Sequence, residues 1–279
     1  MPDHADPQWS GRGERRALPQ RIGAAMGDRC HEVIGTPVTF LAPDELITEL
    51  RHRIEGGITS LVFHQNLHGV YLQRRDPLYR RLYRECAFAY ADGMPLIWLA
   101  RLAGREVNRS MRATWLDWQS TFLDACATHE WRIYYIGGTE ASLAGGLDVL
   151  RSLHPGLIID GHHGYFDHAP DSAESRAVVA AANAFEPSLV FVGMGMPLQE
   201  LWSAAQRPRL SAPVVVAIGA GLDYASGAIQ SPPRWAGRLG LEWLYRLVAE
   251  PRRLGYRYLV EPFWLLGWSV ADSVRQRRP

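Results

Sequence analysis

Lysine is absent: all 30 cationic residues of this 279-residue chain are arginines. Genomic base composition can impose that choice, so Arg over Lys carries little functional weight, whereas the clustering of charge is independent of it. Cysteine is scarce. Cys30, Cys86 and Cys126 stand far apart with no Cys-x-x-Cys spacing, which argues against a disulfide scaffold and a thiolate zinc site and leaves buried thiols as the expectation. No run of about 18 apolar residues exists to span a bilayer. The opening MPDHADPQWSGRGERRALPQRIG lacks the apolar segment of a secretory signal and is rich in Pro, Gly and Arg, so residues 1–30 are expected to form a disordered arm of a cytoplasmic protein. No Gly-x-Gly-x-x-Gly follows the first strand with an acid about 20 residues beyond it, which disfavours a dinucleotide-dependent oxidoreductase. There is also no Asp-x-Asp pair to hold a divalent ion against a nucleotide diphosphate.

A hydrophobic content of 47% is enough for a large core, and it is distributed in a pattern. Apolar β-like runs recur at 59–64, 87–91, 132–136, 157–160, 189–192 and 214–218, with amphipathic stretches between most of them. The alternation predicts an α/β fold: a Rossmann-like, mostly parallel sheet with helices on both faces over residues 31–230. Ligands of such sheets bind beyond the carboxyl ends of the strands, where strand order reverses. Four of these ends carry suggestive residues: His64-Gln65-Asn66, Asp92-Gly93, Gly137-Gly138-Thr139 and Gly193-Met194-Gly195.

The segment PSLVFVGMGMPLQELW, residues 187–202, is the most informative. An apolar strand breaks into a glycine turn and enters a helix led by Pro197, so Gly193 and Gly195 permit close backbone approach and the helix start favours an oxyanion such as a pyrophosphate. Gln199 and Glu200 stand beside it. The alternative is an ordinary βα turn. Asp92 is placed to serve as a general base or, equally, to cap the helix that follows it. Asp223 has the same ambiguity and better suits a ribose or base. Gly137 and Gly138 offer donors to a phosphate or nucleoside, or only turn the chain. His162 and His163 tempt a metal reading, but adjacent residues of an extended segment point to opposite sides and no partner lies at ligand spacing, so no metal and no cofactor is expected.

Beyond residue 217 the character changes. Nine Arg and four acids from Arg234 onward give +5 and leave −4 for the rest of a chain whose net charge is +1. Four of the ten tryptophans lie there too. Residues 231–279 are therefore expected to form a helical, membrane-facing appendage, although Trp and Arg equally suit packing on the core or on a second subunit.

The chain resembles the WecG/TagA/CpsF family of bacterial glycosyltransferases. The resemblance runs over residues 33–260 and rests on ADGMPLIWLARLAG at 91–104, YYIGGTEAS at 134–142, HPGLIIDGHHGYF at 154–166, FVGMGMPLQELW at 191–202 and GAGLDYASGAIQSPPRWAGRLGLEWLYRLVAEPRRLGYRY at 219–258. It implies inverting, metal-independent transfer of N-acetylmannosamine, its uronic acid or a related hexose. The donor would be a UDP-sugar and the acceptor a polyprenyl-diphosphate-linked saccharide, used at the inner face of the cytoplasmic membrane in cell-surface polysaccharide synthesis. It also implies residue roles: Asp92 as base, Asn66 and Gln199 at the donor, Arg109 or Arg112 as the basic group after the second βα unit, and Arg252, Arg253 and Arg257 on the lipid diphosphate. One position departs from the pattern. Many members carry Thr-x-Asn where this chain has His64-Gln65-Asn66. A membrane-docked adaptor without catalysis is the non-enzymatic rival, encouraged only by His64. A nucleic-acid partner is not expected, and a homo-oligomer is left open.

Overall fold

A computed structural model describes residues 26–233, 236 and 240–276. Residues 1–25 of the expected arm and Arg234 lie outside the described residues. Residues 26–30, expected to belong to the arm, are ordered. Met26 is buried against the main core, a short turn of 3-10 helix covers Gly27–Arg29, and Cys30 already begins a strand.

The described residues form an 8-stranded sheet in the order β1-β2-β4-β3-β8-β7-β5-β6. Its strands are β1 (Cys30–Val33), β2 (Thr36–Thr39), β3 (Ser60–Gln65), β4 (Phe88–Ala91), β5 (Ile133–Gly137), β6 (Ile159–His162), β7 (Leu189–Gly193) and β8 (Val214–Ala217). All neighbours pair in parallel except β1 and β2. This hairpin is absent from the sequence reading; Ile34 at φ 50° and Gly35 at φ 71° make its two-residue turn. β6 begins two residues later than the apolar run at 157–160 implied.

Alternation explains the two-sided core. In β7, Leu189 and Phe191 enter one cluster with Val62 of β3, Trp118, Phe122 and Leu147, while Val190 and Val192 enter the opposite cluster with Leu61 and Phe63 of β3, Val178 and Trp202. Helices α1 (Pro43–Glu55), α5 (Trp115–Thr128) and α6 (Glu140–Leu153) supply the first face. Helices α3 (Pro77–Glu85), α7 (Ala173–Ala184) and α8 (Leu198–Gln206) supply the second. Pro197 is the N-cap of α8 and not its first helical residue.

A third cluster unites the hairpin with α2 (Leu67–Arg75) and α4 (Met94–Leu102). The C-terminal helices are α10 (Glu242–Ala249), α11 (Pro251–Leu259) and α12 (Glu261–Gln276), which follow the short α9 (Gly221–Ala225), and α12 reaches the same region. Leu265 of α12 is buried in that cluster, the His68 ring of α2 lies 2.9 Å from the Glu261 carboxylate, and Tyr71 stacks on Trp268. The appendage therefore covers α2, the helix that starts at the end of β3. Among the described residues no helix is long and apolar enough to cross a membrane.

Candidate active site

Parallel pairing places the ends of β3, β4, β8, β7 and β5 along one edge of the sheet, so the four strand ends singled out in the sequence lie on the same edge. Asp92 sits where β4 stops. Its N–H donates to the Gln65 carbonyl at 2.7 Å, which ties it to the end of β3. The N-cap of α4 is Gly93, at φ 120°, with no side-chain cap bond, so the structure gives the Asp92 carboxylate no capping role. That side chain is half-buried.

His64 is its neighbour. The ring Nδ1 lies 3.0 Å from the Ala217 carbonyl, which can only accept, so Nδ1 carries the proton. Nε2 then faces Asp92 Oδ2 at 4.0 Å. Two basic atoms thus converge on one point at the end of β3 and β4. Asn66, half-buried, caps α2 by accepting the Gly69 N–H at 3.1 Å.

The glycine turns after β5 and β7 are built by backbone contact. A Cβ on Gly137 would collide with the Gly193 carbonyl, so both turns close only because these residues are glycine. Gly138, at φ 67°, lies against Ser142 and Asp223, whose Oδ1 accepts the Ser142 hydroxyl at 2.8 Å. Asp223 is therefore brought to the Gly137-Gly138 turn. Gln199 is fully buried, and its Oε1 accepts the N–H groups of Gly195 at 3.2 Å and Gly219 at 3.1 Å. The Gly195 N–H, in the turn where the sequence suggested an oxyanion, is thus used inside the protein.

Cationic groups arrive from two directions. The segment after α4 is pinned by the Ala113 N–H on the Ala91 carbonyl at 3.0 Å, next to Asp92. Arg112 stands there, bridging Asp117 at 2.8 Å and Glu242 of α10 at 3.1 Å. Arg109 is exposed in a 3-10 turn, so Arg112 is the better placed of the two. The signal for Arg112 was the capping box Thr114-x-x-Asp117 immediately after it, which fixes where α5 starts.

From α10 and α11, Arg246 and Arg257 both feel the Asp92 charge. Arg246 is half-buried and its Nε is buried without a hydrogen-bond partner. Burial pulls the Arg257 guanidinium below its ordinary value, and pushes the Glu242 carboxyl up against the opposing pull of Arg112. Arg252 is exposed, and the placement of the Arg253 side chain lies outside the description. Sequence reading missed Arg246 because the denser EPRRLGYRY cluster drew attention from it.

His162 and His163 do not point apart as expected. His162 ends β6, the chain then leaves the extended form, and the two rings lie 4.4 Å apart. Among the described residues no group of three or more His, Cys, Asp or Glu has the geometry of a metal site. Cys86 and Cys126 are buried thiols, but Cys30 on the edge strand is half-exposed.

A mostly parallel sheet with helices on both faces, a carboxylate at the end of one central strand and glycine turns at the ends of its neighbours is an α/β arrangement suited to a ligand at that edge. The chain belongs to the glycosyl transferase WecG/TagA/CpsF family, whose model matches residues 31–279. It is 24% identical, over 63% of its length and 67% of theirs, to proteins of Staphylococcus aureus strains NCTC 8325 / PS 47 and MRSA252. Both are N-acetylglucosaminyldiphosphoundecaprenol N-acetyl-beta-D-mannosaminyltransferases.

Proposed function

We propose that the protein transfers an N-acetylmannosamine-type sugar from a UDP donor, with inversion, to a polyprenyl-diphosphate-linked saccharide at the inner membrane surface. The observation that carries this reading is the Asp92 carboxylate, uncapped at the end of β4 and 4.0 Å from His64 Nε2, with Arg246 and Arg257 of the appendage close enough for its charge to act on them.

Asp92 removes the proton of the acceptor hydroxyl as that oxygen attacks the anomeric carbon, and UDP departs from the opposite face. A single in-line displacement inverts the centre. His64, with Nδ1 held by Ala217, offers Nε2 to a hydroxyl of the donor sugar or acceptor. The Gly137-Gly138 turn and Asp223 receive the nucleoside end, with Asn66 and Gln199 shaping the donor side. Arg112, Arg246 and Arg257 supply charge for the diphosphates of donor and lipid, which makes a divalent ion unnecessary; Arg252 and Arg253 are then outer contacts for lipid headgroups.

Membrane docking follows from the same helices. Phe263, Trp264 and Leu266 of α12 and Val248 of α10 are exposed apolar side chains, and Arg252 of α11 is exposed as well, the composition of an interfacial surface. The test is product mass after incubation of UDP-sugars with a short-chain polyprenyl-diphosphate disaccharide precursor in buffer containing EDTA. A product one N-acetylhexosamine heavier is expected; nucleotide hydrolysis without sugar transfer contradicts the reading.

A further inference from the structure

We propose that Glu200 is a positioning residue: it fixes the orientation of the Gln199 amide, and through it the turns after β7 and β8 that border the donor site. The structural part stands alone, and its effect on the donor rests on the function proposed above.

Glu200 is fully buried, and its Oε1 accepts the Gln199 Nε2 proton at 2.6 Å. A glutamine amide has a donor end and an acceptor end, so this bond decides which way the group faces. With Nε2 on Glu200, Oε1 is presented to the N–H groups of Gly195 and Gly219. The flipped amide would set its NH2 against two N–H donors and its oxygen against the carboxyl, like against like at both ends. No other orientation satisfies all partners.

The two glycines belong to different turns. Gly195, at φ 81°, follows β7, and Gly219, at φ 69°, follows β8. The second turn also touches the reacting centre: a Cβ on Gly219 would lie 3.8 Å from His64 Cε1, and Ala217, two residues earlier, accepts the His64 Nδ1 proton. One buried acid therefore holds a donor-side turn and a turn against His64 in register. Burying a carboxyl is costly, and a residue that only filled space here would be apolar. Burial raises the Glu200 pKa against the opposing pull of His64 and of the Gln199 hydrogen bond.

Two substitutions separate orientation from space-filling. Glu200→Met keeps the volume and removes the acceptor, while Glu200→Gln keeps an acceptor oxygen. Amide hydrogen exchange is read at Gly195 and Gly219 without ligand, and kcat and KM are read with UDP-sugar. Glu200→Met should speed exchange at both glycines by at least about tenfold and raise donor KM by about tenfold with a smaller change in kcat; Glu200→Gln should restore both to within about threefold. Unchanged exchange in Glu200→Met overturns the proposal. Altered exchange in a protein whose parent uses no UDP-sugar leaves the clamp standing and removes the function. If Glu200→Met does not fold, Glu200→Leu, which likewise removes the acceptor, is read in its place, and unchanged exchange at both glycines contradicts the clamp.

Discussion

His64 Nε2 and Asp92 Oδ2 face each other at 4.0 Å across the ends of β3 and β4, and the other nitrogen of His64 is held by the Ala217 carbonyl. The pair is assembled from three strands that lie side by side, β4, β3 and β8, although Asp92 and Ala217 are far apart in the chain. A threonine in place of His64 would lose the tie to β8 yet still present a hydroxyl near Asp92.

His64→Thr is therefore expected to lower kcat/KM by about tenfold while leaving transfer measurable. The assay is steady-state transfer at saturating acceptor. Complete loss would assign His64 an essential role of its own.

Arg246, with its buried and unpaired Nε, should matter more than exposed Arg252. Arg246→Lys removes the planar fork and should cost about 10²-fold in kcat/KM with lipid acceptor, against less than about threefold for Arg252→Lys. Equal effects of the two would show that the appendage arginines act only as a diffuse charge.

Most of the sheet was legible because β3, β4, β7 and β8 are continuous apolar runs buried on both faces. The β1–β2 hairpin was not. Its first strand, Cys-His-Glu-Val, lies at the sheet edge and keeps His31 and Glu32 in contact with solvent, so no apolar run marks it. Asp92 could be found because it ends a strand, a local property. Glu200, Arg112 and Arg246 owe their positions to contacts between distant segments, and one sequence carries no record of which arginine meets which acid.

Glu200 also predicts a pH dependence. Its carboxyl is raised by burial in the folded state, so its contribution is fully favourable below the ordinary glutamate range and is lost as pH rises toward the raised folded value, where the unfolded chain alone releases the proton. Glu200→Gln does not titrate. Its Tm relative to the parent should therefore be higher at pH 7 than at pH 4, measured by thermal melts at the two pH values. A difference independent of pH contradicts a glutamate raised by burial.

Membrane attachment should depend on Phe263, Trp264 and Leu266, exposed at 72%, 52% and 58%. Replacing all three with Ser should reduce partition onto anionic vesicles by at least about tenfold in flotation, while leaving the melting transition unchanged. Undiminished flotation would place the contact elsewhere.

The account depends most on Asp92 as the base. Asp92→Asn keeps the shape of the side chain and the backbone bond to Gln65, so UDP affinity should stay within about twofold while turnover falls by about 10² to 10⁴. Single-turnover transfer with bound UDP-sugar measures that step directly. A rate within threefold of the parent would show that the proton leaves by another route and that Asp92 is not the base.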